Sequence, residues 1–208
     1  QNEVGTINPI QEIGRLAKDR RIPLHVDAAQ AVGKMPIAVE EMGVDFLSAS
    51  GHKMYAPKGV GFLFVRKGYA LEPLLFGGQQ ESGHRPGTLN VPSVVAMGKA
   101  CEICLKTMND EIPRLTEMRD EFIRQCLEPV PNDRLNGHPR ERLYSNVSLS
   151  FEGLSSDLFA LGLSGLAVST GSACSAGAPS HVLPAMGVPE SLSRATVRIS
   201  SGESVRVG

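Results

Sequence analysis

Reactive side chains follow two short apolar runs near the start of the chain. The first run, Pro23 to Asp27, ends on an acid, and the second, Phe46 to Ser50, is followed by Gly-His-Lys. Short apolar runs bounded by turn residues and joined by a helix-sized link indicate buried parallel strands of a βαβ unit. The carboxyl ends of such strands face the ligand crevice of an open α/β sheet. The residues expected at this crevice are Asp27, Gln30, Ser50, His52 and Lys53.

The amine of Lys53 has two interpretations. A lone lysine after a strand is usually a solvated loop residue. The alternative is a lysine that forms a Schiff base, because desolvation at a strand end favours the neutral amine that attacks an aldehyde. An acid at the neighbouring strand end suits pyridoxal phosphate, whose pyridine nitrogen needs a carboxylate partner. The pair Asp27 and Lys53 favours this cofactor, with Ser50 and His52 as candidates for its phosphate and Gln30 for its phenolic oxygen.

Five motifs occur in a fixed order along the chain. They are N-E-V-G-T at 2–6, H-V-D-A-A-Q at 25–30, S-G-H-K at 50–53, R-P-G-T at 85–88 and G-S-A-C at 171–174. Together they resemble the NifS/IscS-type cysteine desulfurases, pyridoxal-phosphate enzymes of the aspartate-aminotransferase fold. The resemblance covers essentially the whole chain, and five ordered motifs are specific where S-G-H-K alone is not.

The resemblance implies roles for residues outside the two strand ends. Asn2 is expected to hydrogen-bond the phenolic oxygen of the cofactor. Thr88 is expected to reach the cofactor phosphate of a neighbouring subunit, which implies a homodimer with shared sites. Arg198, whose side chain suits bidentate capture of a carboxylate, is expected to bind the α-carboxylate of the substrate. Without the resemblance, each residue has another interpretation. Asn2 is then a frayed terminal residue, Thr88 part of a surface loop, and Arg198 a strand-end arginine in a surface ion pair.

Cys174 is the candidate nucleophile. It lies among small, glycine-punctuated residues, in Ser-Thr-Gly-Ser-Ala-Cys-Ser-Ala-Gly-Ala-Pro at 169–179, which predicts an accessible loop. Accessibility and the thiolate fraction decide whether such a cysteine is inert or catalytic, and the sequence alone favours neither. The resemblance favours catalysis, with the sulfur of the substrate transferred to Cys174 as a persulfide.

The activity implied by the resemblance is conversion of L-cysteine to L-alanine. The persulfide would then pass to an acceptor such as an iron–sulfur scaffold or a tRNA-thiolating protein. Two alternatives stay open: a selenocysteine lyase or another pyridoxal-phosphate lyase of the same fold, and a fragment without catalytic function. The second arises because the chain lacks an initiating Met and relatives carry a long amino-terminal half.

Composition gives bounds on the class of protein. The chain has 208 residues, 41% hydrophobic and 21% charged, and a formal net charge of -1. These values are ordinary for globular domains and give no basic excess that would suggest nucleic acid. No run approaches the ~18 apolar residues of a membrane span. The expected partners are therefore a small substrate, a sulfur acceptor and a second copy of the chain, without nucleic acid or membrane.

The cysteines suggest a reducing compartment rather than a disulfide scaffold. Four cysteines in 208 residues are few and unevenly placed, which predicts a cytoplasmic location, with an organelle as the open alternative. Cys101 and Cys104 form a single C-x-x-C that does not specify zinc. We expect these two cysteines on one face of a helix, Cys126 in a core, and no metal site.

The fold class expected is α/β. Residues 1–90 are predicted to be part of the large domain of a fold-type-I pyridoxal-phosphate transferase with a mostly parallel sheet. Residues 91–128 are predicted as two bridging helices, the second restarting at Pro113, and 129–208 as a small, incomplete α+β domain.

Periodicity and turn residues predict further elements. In the first part of the chain they predict a helix after an Asn8 cap with Ile10, Ile13, Leu16 and Ala17 on its apolar face, a short helix through Val39 and Met42, and a buried strand from Val60 to Val65. In the last part they predict a solvated loop from Pro129 to Arg142, a half-buried strand through Val147, Leu149 and Phe151, a helix from Ser155 to Leu161, and a strand from Leu166 to Ser169.

Overall fold

The computed structural model describes residues 1–129, 132–154, 168–169 and 180–202. The chain divides into two compact units, Pro9–Met108 and a second made of Gln1–Asn8 with Asn109–Gly208. Helices and sheets occur together in both, which confirms the α/β class. The predicted partition after residues 90 and 128 stays a prediction.

The unit Pro9–Met108 begins with a helix, α1, at Ile10–Asp19. Its N-cap is Pro9, without a side-chain cap, so the expected Asn8 cap is wrong. The residue of α1 that is buried is Gly14, where a Cβ would meet the carbonyl oxygen of Met42 at 2.0 Å. Of the predicted apolar face, Ile10 and Ala17 are half-buried and Ile10 packs against the core, whereas Leu16 is 54% exposed, so the prediction is wrong for Leu16.

A three-stranded sheet carries the two strand ends predicted from the sequence. Strands β1 (His25–Asp27) and β2 (Phe46–Ser50) are parallel, with Asp27 opposite Ser48. Strand β3 (Gly61–Val65) pairs antiparallel with β2. The core of this sheet is formed by Ala28, Val44, Leu47 and Ala49. The β1–β2 pair is therefore confirmed as parallel, but the burial predicted for β1 is wrong, because His25 and Asp27 are exposed and Val26 is only half-buried.

Strand β3 differs from the prediction in its burial. It was expected to be buried, but the side chain of Leu63 is 50% exposed and only the end of the strand is half-buried. In the described residues β3 is an edge strand that pairs with β2 alone. Gly61 allows the close pairing, because a Cβ there would lie 2.5 Å from the carbonyl oxygen of Ala49.

The link between β1 and β2 consists of turns, so the predicted helix through Val39 and Met42 is wrong. Single helical turns do form, as in the bonds from Val32 N to Ala28 O (3.0 Å) and from Met42 N to Ala38 O (2.9 Å). Pro36 lacks an N–H group, and Gly43 has a φ of +63°. Because both residues interrupt a helix, the backbone of the link forms separate turns.

A single long helix, α2, spans Val91–Leu127. Pro113 lies inside it and does not start a second helix, contrary to the prediction. Flanking interactions continue the helix past the missing backbone bond: Leu115 is 1% exposed, and Arg114 pairs with Glu111 at 2.6 Å on the same face. Packing and local ion pairs thus outweigh the cost of one proline.

The second unit contains an antiparallel sheet in the order β4-β5-β7-β6. Its strands are Arg134–Leu135, Asn146–Ser150, Val168–Ser169 and Thr196–Ser200, numbered β4, β5, β6 and β7 in chain order. Short helices at Val182–Ala185 and Glu190–Arg194 precede β7. The core of this sheet is formed by Val147, Leu149, Phe151 and Val197.

Strand β5 is buried along its whole length, not on one face as predicted. Two serines of its polar face are bonded by Asn136, which is fully buried and donates to Ser148 Oγ at 3.3 Å and to Ser150 Oγ at 2.8 Å. Buried hydroxyls need such partners. The alternation of apolar residues and serines therefore marks two buried faces, one apolar and one polar.

The described part of the predicted loop from Pro129 to Arg142, residues 132–142, is more regular and more buried than expected. It contributes β4 to the sheet, and the guanidinium of Arg142 is buried, not solvated. Arg142 donates to four carbonyl oxygens, including those of Val4 at 3.0 Å and Asn146 at 3.3 Å. It thereby joins the start of the chain to β5.

Val168–Ser169 confirms the end of the predicted strand 166–169. The predicted helix from Ser155 to Leu161 and the Cys174 loop lie outside the described residues. Within the described ranges, no helix is both long and apolar enough to cross a membrane.

Candidate functional site

Asp27 stands at the carboxyl end of β1, as predicted. It is exposed, and its Oδ1 accepts a hydrogen bond from the backbone N–H of Ala29 at 2.9 Å. This bond holds the carboxylate in a fixed turn at the strand end and leaves its second oxygen able to accept a hydrogen bond from a ligand.

Ser50, the last residue of β2, and His52 form a hydroxyl–imidazole pair. Ser50 Oγ lies 2.8 Å from His52 Nδ1. If Nδ1 accepts this bond, His52 carries its proton on Nε2. If Nδ1 donates, the Ser50 hydroxyl keeps its own proton. In both tautomers the pair therefore retains a donor for an external anion.

Lys53 lies in a 3-10 helix, Gly51–Met54, that follows β2 directly. The helix is closed by a bond from Ala56 N to Gly51 O at 3.0 Å, and Tyr55 adopts a φ of +67°. Met54, next to Lys53, is 2% exposed. The backbone around Lys53 is therefore fixed by buried neighbours, while the amine-bearing side chain is only half-buried.

Gln30 lies in the turn after β1 and has a partner that sequence reasoning missed. Lys34 Nζ donates to Gln30 Oε1 at 3.2 Å, and both side chains are half-buried. Burial, and secondly repulsion from Lys53, lower the pKa of Lys34. The i,i+4 spacing of the two residues was the signal that could have revealed this contact.

Thr88 is exposed in the connection between a 3-10 helix, Gln80–Gly83, and α2. The adjacent Gly87 N–H donates to Gln80 Oε1 at 3.1 Å, which shapes the turn before it. The hydroxyl of Thr88 makes no hydrogen bond to any other residue that the structure describes.

Asn2 and Arg198 belong to the second unit. Arg198 lies on β7 opposite Ser148 of β5 and Ser169 of β6. Its guanidinium donates to Ser169 Oγ at 3.3 Å and to the backbone oxygen of Asn2 at 3.4 Å. Among described residues no carboxylate forms an ion pair with it. Arg198 lines a small cavity together with Glu3, Ser148, Ser169, Ser180, Leu183 and Thr196.

Asn2 takes part in this arrangement through its backbone. Its carbonyl oxygen also accepts a bond from Asn146 Nδ2 at 3.1 Å, and its side-chain oxygen accepts one from Gln1 at 3.3 Å. The expected role of the Asn2 side chain at the cofactor stays a prediction. Of the nine candidate residues, Cys174 lies outside the described residues. Five of the other eight lie within one stretch of the chain, 27–53.

A profile of the family Aminotransferase class-V matches residues 1–204. The chain belongs to the class-V aminotransferase family. This class-V chain is 48% identical over 205 residues to the Cysteine desulfurase IscS of Dictyoglomus turgidum, a match that covers 97% of the chain and 52% of that protein.

Solved structures show the same class-V architecture. A NifS-like protein superposes with a TM-score of 0.87 at 33% identity, over 98% of this chain and 54% of the other. SspA in complex with cysteine superposes with a TM-score of 0.74 at 36% identity, over 96% and 56%. The resemblance to NifS/IscS-type proteins predicted from five motifs is thereby confirmed. The chain spans about half the length of these relatives.

Proposed function

We propose that this class-V chain acts in a cysteine desulfurase, which converts L-cysteine to L-alanine and transfers the sulfur to Cys174 as a persulfide. The observation that carries the proposal is the pairing of a fixed carboxylate, Asp27, with an amine, Lys53, past the ends of two adjacent parallel strands. The similarity to proteins named cysteine desulfurase supports the choice of substrate.

The side chains of the unit Pro9–Met108 fit pyridoxal phosphate by the chemistry of their donors and acceptors. Asp27 offers a carboxylate oxygen to the pyridine N–H. The Ser50–His52 pair offers a donor to the phosphate in either tautomer. Gln30 offers an amide to the phenolic oxygen, and Lys53 an amine to the aldehyde. Each functional group of the cofactor thus has a counterpart of the required polarity.

When bound, the cofactor supplies an electron sink for the bond broken at the substrate Cα. Lys53 supplies the basic amine that carries the proton to and from that carbon. Asp27 keeps the ring nitrogen protonated through its negative charge. Neither role needs a residue outside this unit.

The candidates for substrate recognition and sulfur transfer are Arg198 and Cys174. Arg198, which lacks a carboxylate partner among described residues, binds the α-carboxylate of cysteine. The thiolate of Cys174 attacks the substrate sulfur, forming an S–S bond as the C–S bond breaks, and a proton goes to the substrate Cβ. Cysteine and a thiol thus give alanine and a persulfide without any further oxidant.

The persulfide would pass to a sulfur-acceptor protein such as an iron–sulfur scaffold. We further propose a homodimer, in which Thr88 contacts the cofactor phosphate of the second subunit. Its exposed hydroxyl, without a partner among described residues, supports this role.

Reductive trapping tests the proposal. The chain is incubated with pyridoxal phosphate, reduced with borohydride, digested and mapped by mass spectrometry. A pyridoxyl group on Lys53 is expected. Lys53→Ala should abolish this label, whereas Lys58→Ala, at an exposed lysine in the same unit, should not. Labelling spread over exposed lysines, or no label at all, would refute the proposed chemistry.

A further inference from the structure

Lys34 lies beside the proposed cofactor-binding residues without being one of them. Its ammonium donates to Gln30 Oε1 at 3.2 Å. Bonds from Val32 N to Ala28 O (3.0 Å) and from Lys34 N to Ala31 O (2.9 Å) give the intervening backbone helical turns. These turns bring the side chains of Gln30 and Lys34 into contact, so the contact follows from the local fold.

Tight packing holds the Lys34 segment against the segment that carries Lys53. Gly33 has a φ of +79°, and a Cβ there would meet Cys104 Sγ at 3.0 Å and Met54 Cβ at 3.1 Å. Met54 directly follows Lys53 in the chain. Repulsion from Lys53 contributes, after burial, to the lowered pKa of Lys34, which is consistent with two amines in one neighbourhood.

The charge of Lys34 decides which way the Gln30 amide is turned. The oxygen and nitrogen of an amide have nearly the same shape, so only the hydrogen-bond partners can distinguish them. An ammonium has three donors and no acceptor. The atom facing Lys34 must therefore be the amide oxygen, and the NH₂ group of Gln30 faces away from it.

We propose that Lys34 is a positioning residue that fixes the Gln30 amide as a hydrogen-bond donor toward an anionic ligand oxygen. Under the proposed function, on which this identification of the ligand rests, that oxygen is the phenolic oxygen of pyridoxal phosphate. Without Lys34 the amide is free to turn, and it presents a donor for only part of the time. Lys34 acts through Gln30 and does not itself touch the cofactor.

The first test needs no cofactor. The side-chain carbonyl carbon of Gln30 is observed by NMR in the isotopically labelled chain. Lys34→Met removes the donor at nearly constant length and should shift this resonance, and Lys34→Arg should largely restore it. Lys58→Met, at an exposed lysine of the same unit, is the control and should leave it unchanged. A Gln30 resonance that is insensitive to Lys34→Met overturns the proposal.

The second test is a double-mutant cycle on the affinity for pyridoxal phosphate, measured by absorbance titration. Lys34→Met should weaken binding about three- to tenfold when Gln30 is present, the effect of one hydrogen bond. It should have almost no effect in a Gln30→Ala chain, because the residue through which Lys34 acts is gone. An equal loss in both backgrounds would show that Lys34 acts by another route and would overturn the proposal.

The two tests separate this inference from the proposed function. If Lys34→Met shifts the Gln30 resonance but the parent chain takes up no pyridoxal phosphate, the Lys34–Gln30 contact is supported and the proposed cofactor is refuted. A chain that binds the cofactor on Lys53 but fails the NMR test supports the function and refutes the role of Lys34.

Discussion

At the scale of single residues, a substitution of Asp27 can remove the negative charge of the side chain while keeping its shape. Asp27→Asn keeps an oxygen that accepts the Ala29 N–H but removes the negative charge. The proposed role predicts a fall in alanine formation of about 10²–10³, the usual cost of losing one preorganised electrostatic partner. Asp19→Asn, at an exposed acid of α1, is the control.

Folding should not explain this loss. Asp27 is exposed, so Asp27→Asn should change the free energy of unfolding by less than about 0.5 kcal/mol. A variant that keeps full turnover would show that the carboxylate does not partner the ring nitrogen. A variant that unfolds would point to a structural role of the turn instead.

Arg142 gives a second prediction at the residue scale, on stability and not on activity. Arg142 is 4% exposed, and burial, then repulsion from Arg119, lower its pKa to about 10. It therefore remains charged at neutral pH while buried among carbonyl oxygens. Arg142→Met should destabilise the protein by about 3–5 kcal/mol, because four carbonyl groups lose their donor.

Urea unfolding followed by circular dichroism measures this cost. Arg140→Met, two residues away at an exposed position, should stay within about 0.5 kcal/mol of the parent. Equal effects of the two changes would show that the buried bonds contribute little to stability.

At the scale of elements, the turn between β1 and β2 depends on Gly33. Gly33 and Gly59 both have positive φ, at +79° and +86°, but only Gly33 is crowded by neighbouring atoms. Alanine at either position costs about 1–2 kcal/mol of backbone strain. Gly33→Ala should cost about 1–3 kcal/mol more, since Met54 and Cys104 must move. The difference between the urea midpoints of the two variants measures the cost of crowding at Gly33. Identical midpoints would contradict this prediction.

The strands of the site were predictable, whereas the links between them were not. Short apolar runs ending on polar residues correctly placed β1, β2 and their parallel pairing. The link between them contains helical periodicity, but Pro36 and Gly43 reduce it to turns. Pro113 misled in the opposite direction, because the buried Leu115 and local ion pairs carry α2 through it. Local helix breakers decided the first case, and tertiary packing, which a local pattern does not contain, decided the second.

The burial of polar residues was the other limit of prediction. The segment from Pro129 to Arg142 has a composition typical of loops, yet Asn136 and Arg142 are buried in it. Their partners are Ser148, Ser150 and the carbonyl of Val4, which lie far away in sequence. The candidate residues at the two strand ends were found because strand ends are local features. Lys34 was missed although its partner lies four residues away.

At the scale of the whole molecule, the five motifs are distributed over both compact units. The N-E-V-G-T and G-S-A-C motifs belong to the second unit, and the other three to Pro9–Met108. Of the candidate residues, Asp27 to Lys53 and Thr88 thus lie in Pro9–Met108, whereas Asn2 and Arg198 lie in the second unit.

The homodimer can be tested by mixing two defective chains. A Lys53→Ala chain cannot form the covalent link, and a Thr88→Ala chain should bind the phosphate weakly. In a mixed dimer, one site combines Lys53 of the second chain with Thr88 of the first. At limiting pyridoxal phosphate, adding the Lys53→Ala chain should therefore increase borohydride labelling of the Thr88→Ala chain.

The matched control for this experiment is the Lys53→Ala, Thr88→Ala double variant. It can form the same mixed dimer but offers no threonine, so it should leave the labelling unchanged. Rescue by the single variant and not by the double variant would assign Thr88 to the neighbouring site. Should both or neither increase the label, Thr88 does not act across the dimer, because a residue that acts within its own chain cannot be supplied by another.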